Sequence, residues 1–207
     1  MYRTTLSLTM TAFLFTYCAE APDAERAGTG DAKEESTNTG AKKPVNLDDS
    51  KISWIGTKIT GQHNGTIKLK SGHVFLDGDQ ITGGEFVMDM STIEVHDLTG
   101  ENKQKLEKHL RDTDFFEIQK FPESRFVITS VEPGENGALQ VTGNLTMRDI
   151  TKSVSFSATT EKGEDGKPLK VSADFNIDRQ LWGIVYKGKP DDAIRDAINL
   201  KPVLVLD

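Results

Sequence analysis

The chain has 207 residues, of which 25 are Lys or Arg, 32 are Asp or Glu and one is cysteine. A net charge of −7 and a pI near 5.2 remove the electrostatic basis for nucleic-acid binding, because phosphate recognition needs clustered Lys and Arg. One cysteine permits no intramolecular disulfide and no cysteine-built metal site. Eighteen glycines with 7% aromatic residues argue against a helical bundle, and a mean hydropathy of −0.45 against an integral membrane protein.

Residues 1–18 read as an export signal. Arg3 supplies a short positive region and Leu6–Phe15 an apolar run of about ten residues, too short to span a bilayer but matched to a signal-peptide core. Cys18 follows that run, and its setting resembles the lipobox of bacterial lipoproteins, in which the thiol is acylated and becomes the new N-terminus. Phe15 and Tyr17 depart from the usual residues there. The competing reading is cleavage near Ala19–Ala21, disfavoured by Pro22. Either route implies an exported protein, periplasmic or anchored in the cell envelope through a lipidated Cys18.

Residues 19–50 carry eight acids and four bases and almost no branched apolar or aromatic side chains. Such a segment buries too little surface to offset its ordering entropy, so it is expected to be a disordered acidic tether.

Residues 51–207 form the expected folded domain. Apolar and polar residues alternate with period two through Ile52–Trp54, Thr66–Lys70, Val74–Leu76, Phe86–Met90, Ser124–Val131, Leu139–Met147, Val154–Thr160, Leu169–Ile177 and Val203–Leu206. Short turns join them, among them Asn64-Gly65, Asp77-Gly78-Asp79, Gly83-Gly84 and Asp165-Gly166. About eight or nine sequential strands without the spacing of parallel crossovers indicate an all-β sandwich or up-and-down barrel. One helix interrupts them at Glu101–Leu110, with Leu106 and Leu110 on one face. It is expected to lie as a flap or plug across an open barrel end. A second helical turn is expected at Asp191–Arg195. Phe115-Phe116 could anchor the helix or act as a lid.

Several segments together resemble the YceI-like family: Trp54-Ile55-Gly56 followed by Gly61-Gln62-His63-Asn64-Gly65; Met88 to Ile93; His109-Leu110 with Asp114-Phe115-Phe116; Phe121-Pro122 with Phe126; Asn144 to Lys152, where Asp149 replaces the common Gly; and Arg179-Gln180-Leu181-Trp182-Gly183. The resemblance runs over essentially all of residues 51–207. It implies an exported, helix-capped, lipocalin-like antiparallel β-barrel of about eight strands. It also implies a ligand rather than a cofactor, namely a long apolar chain such as a polyisoprenoid, an isoprenoid quinone or a fatty-acid derivative.

An eight-stranded barrel is wide enough for one slender ligand, and its pocket would be apolar with a few polar groups at the mouth. The candidate wall residues are Trp54, Ile67, Phe75, Phe86, Met88 and Met90 in the first half of the domain. In the second half they are Phe115, Phe116, Phe126, Leu145, Met147, Phe156, Phe175, Ile177 and Trp182, with His63 as a polar group near the mouth. The thioethers suit irregular apolar ligands. Periodicity alone does not separate a hollow barrel from one filled by these side chains. Arg148, Lys152, Arg179 and Lys187 are candidates for an anionic head group. His63, His73, His96 and His109 show no paired metal-ligand spacing, and there is no G-x-S-x-G elbow, P-loop or dinucleotide fingerprint, so no enzymatic reading gains support. The alternative to a lipid binder is a ligand-free structural or interaction lipoprotein of the envelope.

Overall fold

The computed structural model describes residues 22–35 and 40–207. The proposed leader and Cys18 lie outside the described residues. The strands are β1 (Glu25–Arg26), β2 (Gly28–Asp31), β3 (Ala41–Lys58), β4 (Gly61–Asp77), β5 (Gln80–Val95), β6 (Glu123–Pro133), β7 (Leu139–Met147), β8 (Ile150–Lys162), β9 (Pro168–Ala173), β10 (Phe175–Asp178), β11 (Gly188–Lys189) and β12 (Asp192–Leu206), with helix α1 (Gly100–Arg111) between β5 and β6. Antiparallel neighbours run from β12 through β3, β4, β5, β6, β7 and β8 to β9, and β9 pairs back onto β12. The sheet therefore closes as an eight-stranded barrel of the lipocalin-like kind.

Turn chemistry explains the meander. Gly78 takes φ +62° in the β4–β5 turn, so Asp77-Gly78-Asp79 is a hairpin turn. The β7–β8 turn places both Arg148 (φ 49°) and Asp149 (φ 57°) in the left-handed region. Tight hairpin turns with two such residues match the twist of the strands they join, and Asp tolerates that conformation better than most residues.

Three expectations are corrected. The first concerns the tether, which is not disordered over residues 22–35 and 41–50. β1 pairs with β10 and β2 with β8, and β3 begins at Ala41, opposite Leu76. Poor apolar content misleads here because these residues are held by backbone pairing. Ser50 Oγ accepts from Val205 N at 2.9 Å, and Asn46 Oδ1 accepts from Asp48 N and Asp49 N, each at 3.1 Å, in the bulge that interrupts β3.

The second concerns Asp191–Arg195, which forms no helical turn. Asp192 opens β12, where Ile194 pairs with Lys58 and its N–H donates to Lys187 O at 2.9 Å. A 3-10 turn occurs instead at Arg179–Trp182, capped by Asp178 Oδ1, which accepts from the Gln180 N–H at 3.0 Å. The third is the span 169–177, which is two strands. The break falls at Asp174, whose Oδ1 accepts from the fully buried Asn199 at 2.8 Å and whose Oδ2 meets Lys201 at 2.7 Å.

α1 crosses the barrel end where the β3–β4 and β7–β8 turns lie. Its polar side chains tie it to β5: Glu107 accepts from Val95 N at 3.0 Å, Arg111 donates to Ile93 O at 2.6 Å, and Lys103 meets Glu94 at 2.7 Å. Leu110 is its buried residue.

Trp54 faces Gly65 across β3 and β4. A Cβ at Gly65 would stand 1.8 Å from Glu94 O and 2.6 Å from the Trp54 ring, so the indole uses the space that glycine leaves. Gly65→Ala is expected to lower stability by about 2–3 kcal/mol in urea unfolding, as overpacking against backbone does. Unchanged stability would contradict this seating of Trp54.

Candidate functional site

The barrel is hollow. Its inward residues enclose two apolar lobes that share Ile52, Met88, Leu145 and Leu200. The wide lobe lies under α1 and has a volume of about 370 Å³. The narrow lobe, about 110 Å³, lies toward the opposite end, where Val74, Ile81, Leu139, Ala158, Val171 and Leu204 converge. Both far exceed the space one water needs, and the wide lobe falls in the size range of small-molecule pockets.

Strand alternation places the candidate residues. Phe86, Phe126, Phe156 and Phe175 line the narrow lobe, and Met88 and Leu145 line both. Trp54, His63, Ile67, Met90, Phe115, Phe116, Met147 and Ile177 line the wide lobe. Phe156 and Phe175 stack with ring centroids 4.0 Å apart and an interplanar angle of 10°.

Two candidates are corrected. Trp182 is 0% exposed but borders neither lobe; its indole N–H donates to Leu145 O at 2.9 Å, so it packs behind the wall. Phe75 stays off the cavity because a bulge between Leu69 and Ser71 shifts the register of β4, turning Val74 and Leu76 inward. A one-residue slip sends every following side chain to the other face.

Sequence reasoning missed the smaller wall residues. Ile128, Val154 and Ala158 sit two residues from the aromatic candidates Phe126 and Phe156, and Val141 shares the face of Leu145, so the same alternation could have found them. Ile194, Ile198 and Leu200 belong to the part of β12, before Val203, that was not read as strand.

Polar groups gather in the wide lobe, at the mouth, and Ser172 is the one polar residue lining the narrow lobe. The His109 ring meets Tyr186 edge-on at 4.8 Å and Phe115 at 5.0 Å, and its Nε2 lies 3.4 Å from Asp114. Phe115 and Phe116 thus both pack beside the helix end and border the lobe, with the Phe116 N–H donating to Leu110 O at 3.1 Å. His63 Nδ1 lies 2.8 Å from Asp97. Burial raises the Asp97 carboxyl, but the Asn64 N–H and His63 outweigh it, and the net shift is downward. Trp54 Nε1 and Thr57 Oγ1 are buried without a hydrogen-bond partner among the described residues, and both residues border this lobe.

Three of the four cations proposed for a head group are committed elsewhere. Arg148 donates to Gly183 O at 2.8 Å and reaches Glu117 at 3.4 Å, and Lys152 pairs with Asp31 at 3.2 Å. Arg179 borders the wide lobe, but it donates to Ile184 O, Arg195 O and Asp196, and burial lowers its affinity for a proton. Lys187 borders neither lobe. Lys58, on the wall, pairs with Asp192.

A closed antiparallel barrel with a helix across one end and an apolar interior defines a lipocalin-like barrel. Residues 44–206 match the YceI-like domain, and the chain belongs to that family. A UPF0312 protein of Pseudomonas putida is 32% identical over 159 residues, covering 75% of this chain and 79% of its own. A UPF0312 protein of Shewanella denitrificans is 35% identical over 95 residues, 45% of this chain and 48% of its own. Among solved structures, BcnA of Burkholderia cenocepacia superposes with a TM-score of 0.65 at 19% identity, over 78% of this chain and 98% of that one. A polyisoprenoid binding domain from Saccharophagus degradans gives 0.61 at 13% identity, over 82% and 99%. At these identities the structural likeness concerns the fold.

The mouth contact between β3 and β12 has a pH signature. The Lys58 ammonium first, then the Thr60 hydroxyl, hold the Asp192 carboxyl down to about 2 from its ordinary 3.8. A carboxyl depressed in the folded state contributes stability above its unfolded pKa and loses it as pH falls through the folded value. Asp192 is therefore expected to titrate near pH 2 by carboxyl NMR, and Lys58→Met should move that midpoint up. A midpoint at the ordinary value in the unsubstituted protein would contradict the contact.

Proposed function

We propose that the protein binds one long apolar chain inside its barrel, as a carrier or store outside the cytoplasm rather than as an enzyme. The observation that carries this reading is the continuous run of apolar wall from the wide lobe, past Ile52, Met88, Leu145 and Leu200, into the narrow lobe. Burying a methylene contributes about 0.8 kcal/mol, so a long chain needs few polar contacts. The solved Saccharophagus degradans relative is described as a polyisoprenoid binding domain, which supports the same ligand class here. A ligand-free envelope protein would have no use for a barrel left hollow, since native interiors are otherwise close-packed.

The mouth favours a neutral polar head over a phosphate. Lys58 and Arg179 already have partners, leaving Lys189 as the remaining cation on that wall among the described residues. His63, His109, Tyr186, Trp54 Nε1 and the Thr57 hydroxyl offer hydrogen bonds to a carbonyl or hydroxyl. An isoprenoid quinone or a neutral acyl derivative fits these groups better than a polyprenyl phosphate.

The export reading keeps Cys18 as the lipid anchor. Only six residues lie between Cys18 and the start of β1, and at about 3.5 Å per residue the seven steps reach at most about 25 Å. The barrel would then sit near the bilayer instead of far from it on a long tether.

Mass spectrometry of lipid extracted from the purified protein is expected to give one reproducible long-chain neutral molecule; its absence would count against the reading. Leu145→Phe, which narrows the junction of the lobes, should weaken binding of long chains by about tenfold or more while sparing chains short enough for one lobe. Equal loss for both lengths would contradict the two-lobe path. Cys18→Ser should release the protein from membrane fractions, and unchanged fractionation would defeat the anchor.

A further inference from the structure

β8 and β9 are paired only from Ala158 to Lys162, against Ala173 to Pro168. Beyond Ala158 and Asp174 the two strands part, and the wall is completed by residues 25–31. Glu25 and Arg26 run parallel to Phe175 and Asn176 of β10, whereas Gly28 to Asp31 run antiparallel to Ser155 to Lys152 of β8. A segment lying between two antiparallel strands must be parallel to one and antiparallel to the other, so residues 25–31 act as a single strand seated in a split.

The segment is held by polar contacts and hardly by burial. Ala27, at 4% exposure, is its one buried residue, and Gly28 to Lys33 are exposed. Two buried asparagines clamp its main chain. Asn176 donates to Pro22 O at 2.9 Å and Ala24 O at 3.0 Å. Asn144 accepts from Lys33 N at 2.9 Å and donates to Lys33 O at 2.6 Å. Exposed ion pairs of Arg26 with Asp178, Lys152 with Asp31 and Arg125 with Glu35 complete it, and such pairs contribute little. By contrast, the helix-capped mouth is fixed by Leu110, Phe115 and the bonds from Glu107 and Arg111 to β5. Regions with few buried apolar contacts and exposed backbone bonds open at the lowest free-energy cost.

Phe156 and Phe175, which stack beside this split, are walls of the narrow lobe. We propose that residues 22–35 are a releasable strap and that the β8–β10 split beneath them is a side entrance to the barrel. The strap lifts, the two rings part, and an apolar chain passes laterally into the narrow lobe while the cap stays in place. This rests on the chain-binding reading above.

A disulfide tests it. A Cβ built on Gly28 lies 3.5 Å from Ser155 Cβ, within the usual 3.5–4.5 Å Cβ separation of a disulfide, so Gly28→Cys with Ser155→Cys should lock the strap when oxidised and free it when reduced. Hydrogen exchange on the full chain, with no ligand, is expected to show strap amides exchanging at least about a hundredfold faster than those of β5 and β6, and slowing on oxidation. Uptake of the neutral methyl ester of cis-parinaric acid, followed by fluorescence, should be about tenfold slower in the oxidised form with unchanged affinity. Asn144→Ala with Asn176→Ala should quicken it. Strap amides as slow as the barrel would overturn the releasable strap, and equal uptake rates in oxidised and reduced forms would overturn the side entrance. If neither form binds the probe while the strap still exchanges fast, the binding reading and the side entrance both fail and the releasable strap stands.

Discussion

The structure depends on β12. Its residues pair with β3 along one edge and with β10 and then β9 along the other, which turns an eight-strand meander into a closed wall. Closure removes the exposed edges that an open sheet would present. It also fixes the interior as a space that inward side chains must either fill or leave. Here they leave it, because Ile52, Met88, Leu145 and Leu200 at the junction, and Val and Ala farther along, do not reach the axis. The ends are treated differently: polar groups gather under α1, and the far lobe is apolar but for Ser172.

Much of this was legible in the sequence. Period-two alternation located most strands, and a single amphipathic stretch located α1 within a residue of its observed ends. Legibility failed where backbone geometry overrides side-chain pattern. The bulge after Leu69 exchanged Phe75 for Val74 and Leu76, a change of face that no periodicity argument detects. Trp182 shares the apolar character of wall residues but is used behind the wall, its indole spent on Leu145 O. Hollowness was not legible at all, since a filled and an empty barrel have the same alternation.

The N-terminal segment shows a further gap in composition-based reading. Residues 22–35 hold almost no apolar surface, and by that measure they should remain unstructured. They are ordered because β8 and β10 part at Asp174 and present unpaired backbone donors and acceptors, which an extended chain of any composition satisfies. Asn144 and Asn176 then recognise main chain, not side chains. What makes the segment hard to foresee also makes it weakly held, and both follow from its lack of buried side chains.

The proposed function requires the interior to be a channel for one chain. A crystal structure of the protein purified from its own cells tests this most directly. Continuous elongated density is expected from the His109–Tyr186 mouth, past Met88 and Leu145, to Phe156 and Phe175. A barrel in which those side chains have collapsed to fill both lobes, with no density between them, would contradict it.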